Sequence, residues 1–305
     1  MNRLLGVRDC GKPGPLLILL GAVHGNETTG VFAVENVFRS LEEWDIQNKG
    51  KIVGILGNTR AYEKNIRYLD YDLNRCWTDS FVSERKGNIQ GSVLQAEDLE
   101  LLELLGEIEK HSTGDYSTRI LVDLHATSSD NGNFVVIPQD EADHPVVKSL
   151  RLPIIVDLEK YLEGTLLEYM HHRNFVSFAF EGGLIGSERA LNLHTSGIWE
   201  IIYASGMVER RKDHEFSKYD QILESFIHKL PHKVSVLYRH KIHSGDQFIM
   251  NPGYTNFSKV KKGEILAKDG KGEILAKESG MIFMPLYQEL GDDGFFIVEE
   301  IEGRL

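Results

Sequence analysis

His24 and Glu27 stand three residues apart in Gly21-Ala22-Val23-His24-Gly25-Asn26-Glu27, and His125 closes the run Arg119-Ile120-Leu121-Val122-Asp123-Leu124-His125. Two imidazole nitrogens and one carboxylate, with a fourth position open, are the ligand set of a catalytic zinc ion. Such an ion lowers the pKa of bound water to about 7 and polarises a carbonyl. Asp123 lies two residues before His125, so on a strand both face the same side, and its carboxylate can accept the ligand's second N–H. Glu181 follows Phe178-Ala179-Phe180 and precedes Gly182-Gly183. A carboxylate held at the end of a buried strand beside a metal site can have a raised pKa, and can then carry a proton from water to a leaving amine. Against this stands a blander account. The chain holds 12 histidines, so chance pairs are common, and Glu181 could simply solvate a strand end or cap a helix.

A second cluster occupies a long polar stretch that holds Arg60, Arg67, Asp72, Asn74 and Arg75. Arg75 with the adjacent amide of Asn74 suits a carboxylate, which a guanidinium binds bidentately. Arg67 could meet the charge that develops on a scissile carbonyl, whereas Arg60 reads as a solvated charge. Among the other histidines, His171 and His172 are neighbours that cannot share a helix face and read as surface residues. His194, His228, His232, His240 and His243 have no comparable setting.

These groups need rigid elements behind them. Residues 15–23 form a strand candidate of buried type, followed by a helix period over Thr28 to Ser40. Lys51 to Asn58 reads as a second strand. Residues 59–92 show no obvious helix and are long for a loop. Val93 to Lys110 has the spacing of an amphipathic helix, and Arg119–His125 that of a third strand. Asn133 to Pro138, Leu152 to Val156 and Phe175 to Phe180 are further short strands, and helices are expected over roughly 187–207 and 214–230. Strands alternating with helices and ending at Gly-rich turns argue an α/β sheet covered by helices. Open sheets of this kind keep their sites at the carboxyl edge.

After Pro231 the texture becomes short β-like runs, so we place a boundary there: an α/β domain over 1–230 and a smaller β domain over 231–305. That tail carries a near-perfect tandem repeat, Lys262-Gly263-Glu264-Ile265-Leu266-Ala267-Lys268-Asp269-Gly270 and Lys271-Gly272-Glu273-Ile274-Leu275-Ala276-Lys277-Glu278. Two copies are too few for a solenoid, and Asp-Gly marks the turn of a lengthened hairpin.

A formal net charge of −12 argues against nucleic acid or an anionic membrane as partner. It also means that local arginines must overcome the global field if the substrate is an anion. No apolar run approaches the length of a membrane span. The N-terminus lacks a signal peptide's apolar core, and Cys10 and Cys76 make no disulfide framework, so a cytoplasmic protein is expected. The length of 305 residues allows a large core, and a homo-oligomer is left open as a partner.

Taken in order, Gly21–Glu27, Asp72-Leu73-Asn74-Arg75, Asp123-Leu124-His125 and Glu181-Gly182 resemble the aspartoacylase/succinylglutamate desuccinylase family, related to zinc carboxypeptidases. The resemblance runs from about residue 15 to 185 and more loosely beyond. It implies a zinc-carboxypeptidase-like mixed sheet flanked by helices, with a C-terminal β domain that helps wall the active site. It further implies one zinc ion per subunit, held by His24, Glu27 and His125, and hydrolysis of a small anionic N-acyl amino acid (N-acetyl or N-succinyl type). By the same resemblance Glu181 is the general base and acid and Arg67 the carbonyl-polarising group. Asn74 and Arg75 are the carboxylate clamp, Tyr287 a substrate contact, and Arg173 the nearest counterpart of a further family arginine. The rival expectations are a carboxypeptidase or other amide hydrolase, and a non-catalytic module that binds acidic metabolites.

Overall fold

The computed structural model describes residues 2–87, 93–127, 132–211, 214–226, 230–243, 245–287 and 293–301. In chain order the strands are β1 Leu4–Asp9, β2 Leu16–Gly21, β3 Lys51–Leu56, β4 Arg119–Thr127, β5 Asn133–Val136, β6 Ile154–Val156 and β7 Val176–Leu184. They continue as β8 Lys233–Lys241, β9 Ile249–Met250, β10 Lys259–Val260, β11 Ile265–Asp269, β12 Gly272–Leu275, β13 Gly280–Phe283 and β14 Asp293–Glu300. The helices are α1 Thr29–Glu43, α2 Thr59–Lys64, α3 Asp79–Gly87, α4 Ala96–Ser112, α5 Pro145–Ser149, α6 Leu166–His171, α7 Glu188–Ala204 and α8 His214–Phe226.

Among the described residues eleven strands make one mixed sheet in the order β1-β3-β2-β4-β7-β5-β6-β8-β14-β13-β10. At its heart β3, β2, β4 and β7 run parallel. Such strands are apolar on both faces because helices cover both, and β2 shows the division. Leu17 and Leu19 pack with α1 and α7 residues such as Val34, Val37 and Trp199 on one side. Leu16, Ile18 and Leu20 pack with Leu101, Leu104 and Leu105 of α4 on the other. The same alternation sends Leu124 and Phe180 to the α1/α7 side. Asp123, His125 and Glu181 therefore face the α4 side.

Three features depart from the sequence expectations. First, residues 59–92 contain α2 and α3 and a 3-10 turn at Leu73–Arg75. These helices are short and weakly amphipathic. α2 exists because Asn58 caps it, its Oδ1 accepting from Ala61 N at 3.0 Å; residues 88–92 and His228 lie outside the described residues. Second, an N-terminal strand, β1, pairs antiparallel with β3 at the sheet edge. Third, β7 does not stop before Glu181. It runs on to Leu184 because β5 pairs with it antiparallel, Phe134 opposite Glu181 and Asn133 opposite Gly182, and Thr127 of β4 then pairs with Leu184.

Beyond residue 231 the main sheet continues without a break, since β8 pairs parallel with β6, and β14, β13 and β10 extend it antiparallel. A separate three-stranded sheet has the order β12-β11-β9. The tandem repeat forms the hairpin β11–β12, with Asp269 paired to Gly272. A bulge between Ile265 and Ala267 leaves the first copy's Ile265 exposed and Leu266 buried, while the second copy buries Ile274 and exposes Leu275.

Candidate metal centre and its surroundings

The site lies at the carboxyl edge of the parallel strands. After β2 the chain turns through Ala22, whose φ is +57°, and presents His24 and Glu27 before α1 begins. Gly25 is required here. A Cβ at that position would stand 2.2 Å from the Ala61 carbonyl carbon of α2, so only glycine lets the turn pack this closely.

His24, Glu27 and His125 are all buried and offer ligand atoms within 4.8 Å of one another. Glu27 is the hub. Its Oε1 is 2.8 Å from His24 Nδ1, and its Oε2 is 3.0 Å from His125 Nδ1 and accepts from Ala126 N at 2.9 Å. Both imidazoles thus turn Nδ1 inward. Their Nε2 atoms turn outward to carboxylates, His125 to Asp123 Oδ2 at 2.7 Å and His24 to Asp72 Oδ1 at 3.2 Å. An outer carboxylate of this kind fixes ring orientation and tautomer in zinc sites.

The electrostatics favour positive charge at the centre. Burial works to raise the Glu27 pKa, yet His24 and His125 hold it well below the usual range. Burial works to lower that of His125, yet Asp123 and Glu27 raise it well above an ordinary imidazole's. Two histidines and a carboxylate, converging through Nδ1, Nδ1 and Oε in an acidic pocket, fit a divalent zinc ion.

Glu181 is the register partner of His125 across β4 and β7. Its Oε2 is buried with no hydrogen-bond partner among the described residues. Burial, with Glu27 adding to it against the opposing pull of His125, pushes its pKa up to about 7. Behind it, His194 is fully buried and its Nε2 lies 3.1 Å from the Phe180 carbonyl oxygen. The imidazole occupies the space a Gly182 Cβ would need, 2.4 Å from Nε2, and burial lowers its pKa to about 4.

Arg67 reaches the centre from the segment between α2 and the 3-10 turn. Its guanidinium donates to Asp72 Oδ2 at 3.1 Å and Glu27 Oε1 at 3.3 Å, and lies 2.9 Å from His24 Nε2. Burial opposes its charge, but Glu27, Asp72 and Glu181 outweigh burial and raise its pKa. Asp72 is held well below the usual carboxylate range, burial being overcome by His24, Arg67 and Arg75.

The remaining residues divide. Asn74 is buried; its Oδ1 accepts from Leu166 N at 2.9 Å and so ties the 3-10 turn to the start of α6. Arg75 donates to the Asn74 carbonyl oxygen at 2.7 Å and adds to the positive field on Asp72. Arg60 sits on α2, ion-paired with Glu100 at 2.6 Å and Glu103 at 2.9 Å. Arg173 stacks on Tyr169 and pairs with the exposed Asp79, bonds that do not join it to His24, Glu27 or His125. Tyr287 bonds through its hydroxyl to Asn251 O, Tyr254 N and Tyr254 O within the C-terminal lobe. His172 is exposed, as a surface residue should be, whereas His171 is half-buried and pairs with Asp140. The sequence places Asp72 at the head of the Asp72-Leu73-Asn74-Arg75 motif without giving it a role; its contact with His24 comes only from the fold.

An α/β protein with a two-histidine, one-glutamate cluster at its sheet edge is thus defined. The model of the succinylglutamate desuccinylase/aspartoacylase catalytic domain matches residues 13–175, more than half of the chain, and the chain belongs to that family. It is 30% identical over 120 residues to a probable aspartoacylase of Nostoc sp., covering 39% of this chain and 37% of that one. It is 31% identical over 134 residues to the aspartoacylase of Mus musculus, covering 43% and 40%. The matched segment therefore spans well under half of these curated relatives. The fold is similar over nearly the whole length to that of succinylglutamate desuccinylase from Vibrio parahaemolyticus, with a TM-score of 0.66, 17% identity, and 98% and 87% of the two chains covered.

Proposed function

We propose that the protein is a zinc-dependent hydrolase of the linear amide bond in small N-acyl amino acids, releasing a carboxylate and a free amino acid. The observation that carries this reading is the convergence of His24, Glu27 and His125 beside Glu181, whose buried Oε2 has no hydrogen-bond partner among the described residues. When bound, zinc supplies Lewis-acid polarisation and a lower pKa for water at the site.

The chain's own groups do the rest. Glu181, with a pKa about 7, takes a proton from the attacking water and hands it to the departing amine nitrogen, a cycle that needs a carboxylate poised near neutrality. Arg67 faces the oxygen on which negative charge grows and stabilises it more than the neutral carbonyl. Asn74 and Arg75 hold the substrate carboxylate; since Asn74 Oδ1 is taken by Leu166 N, the amide's share in that clamp is its NH2 donor. Residues 231–305 help wall the site. In support, Tyr161 donates to Leu237 O at 3.2 Å and Ser235 to Asp157, tethering the segment that leads to Leu166.

The test is metal analysis followed by a hydrolysis screen of the zinc-loaded chain against N-acetyl and N-succinyl amino acids. We expect one zinc per chain and turnover of a substrate with a free carboxylate. A chain that stays metal-free after zinc supplementation, or a loaded chain that hydrolyses none of the panel, would overturn the reading.

A further inference from the structure

We infer that Glu97, on the first turn of α4, is a positioning residue that sets Arg67 and Asp72 against the metal centre. Glu97 is fully buried. Its Oε1 accepts from Leu69 N at 2.8 Å and from Asn58 Nδ2 at 3.1 Å, and its Oε2 accepts from Asp70 N at 2.8 Å. Two consecutive backbone amides between Arg67 and Asp72 are thus grasped by one carboxylate.

Simple helix capping does not account for Glu97. α4 already has a capping box, in which Gln95 accepts from the Asp98 amide and Asp98 from Gln95 N, and Asp70 Oδ2 accepts from Ala96 N at 2.8 Å. A buried carboxylate whose hydrogen bonds go to a neighbouring segment is spent on fixing that segment, since an unsatisfied charge there would be costly. The grasp is reinforced on either side. Gly25 N donates to Arg67 O at 3.0 Å, and Tyr71 Oη donates to Asp98 Oδ1 at 2.8 Å. Between these pins the chain has little freedom, so the Arg67 guanidinium and the Asp72 carboxylate arrive together at His24. Polar segments of this kind have no core of their own to fix them. Here α4, anchored in the core by Leu101, Leu104 and Leu105, lends its rigidity to the site.

The inference deepens the hydrolase reading and rests on it for its kinetic arm only. The experiment compares the zinc-loaded chain with Glu97→Ala and Glu97→Gln, each made also in an Arg67→Ala background. Amide hydrogen exchange at Leu69 and Asp70 should quicken by about tenfold or more in Glu97→Ala, with β4 amides unchanged. Glu97→Gln, which keeps one acceptor oxygen and the side-chain volume, should fall between and carries the test if the alanine variant does not fold. On the best substrate of the N-acyl panel, kcat should fall by about 10- to 100-fold in Glu97→Ala. In the Arg67→Ala background the same change should cost less than about threefold, because the effect passes through Arg67. Leu69 and Asp70 exchanging as in the parent, or an equal kcat loss in both backgrounds, would overturn the inference. Failure of the parent chain to hydrolyse any panel member would instead defeat the hydrolase reading, and exchange alone would then decide the clasp.

Discussion

His125 and Glu181 are paired residues of the adjacent parallel strands β4 and β7, so their side chains leave the sheet on the same face, on strands about 4.8 Å apart. One is a candidate metal ligand, and the other a carboxylate with one buried oxygen that has no partner among the described residues. Their separation is set by backbone hydrogen bonding, the stiffest ruler a protein has, and not by side-chain packing.

Glu181→Gln removes the proposed proton carrier while keeping size and polarity. Turnover should fall by about 10²- to 10⁴-fold, the usual worth of general acid–base catalysis, while zinc stoichiometry stays at one per chain. Steady-state kinetics paired with metal analysis checks both halves; near-parental hydrolysis would exclude Glu181 from the proton transfer.

Asp123→Asn leaves the shape of the site intact but removes the charge that orients His125 through the 2.7 Å contact. Zinc affinity should drop by about 10- to 100-fold, the range found for outer-shell partners of ligating histidines. Competition against a chromophoric chelator measures it, and an unchanged affinity would deny Asp123 that part.

Arg67→Ala should lower kcat by about 10²- to 10³-fold, as loss of one oxyanion donor does, and Arg67→Lys should recover only part, since a lysine cannot reproduce the guanidinium fork. Because Glu27 and Asp72 both lean on this cation, a thermal melt run alongside separates lost catalysis from lost folding.

His194 predicts an acid limb of stability. Burial lowers its pKa to about 4 in the folded protein, against about 6.5 in an unfolded chain. A depressed folded value means that the contribution is fully present above pH 6.5 and is lost as pH falls from there through 4. The loss is on the order of 3 kcal/mol at 1.36 kcal/mol per unit. Denaturant unfolding at a series of pH values should show a flatter acid limb for His194→Gln than for the parent, even where the variant is less stable at pH 7. Parallel limbs would show that His194 does not titrate across this range.

How much of this could be read before folding depends on the distance over which each signal acts. The apolar run before His24, the Asp123-Leu124-His125 strand end and the apolar approach to Glu181 are local patterns, and each reappears in the fold with the expected face inward. The hairpin of the tandem repeat was legible for the same reason, since Asp-Gly turn chemistry is a matter of four residues.

What stayed hidden was decided by partners far along the chain. Within residues 59–92, α2 owes little to periodicity and much to Asn58 and Glu100, the Asn58–Glu97 and Thr59–Glu100 bonds joining residues about forty positions apart, while α3 is tied to α4 through Arg85 and Asp98. The division of labour between Arg60 and Arg67 is likewise invisible in sequence, because Glu100 and Glu103 claim the first while Glu27 and Asp72 draw the second into the centre. The passage of the main sheet across residue 231 through β6 and β8 is a pairing that composition does not announce. By itself the sequence determined the groups on offer: two imidazoles and two carboxylates at or near strand ends, and arginines in a polar segment. Only the tertiary structure decided which of them meet, because strand register and buried carboxylates act between residues that the chain keeps far apart.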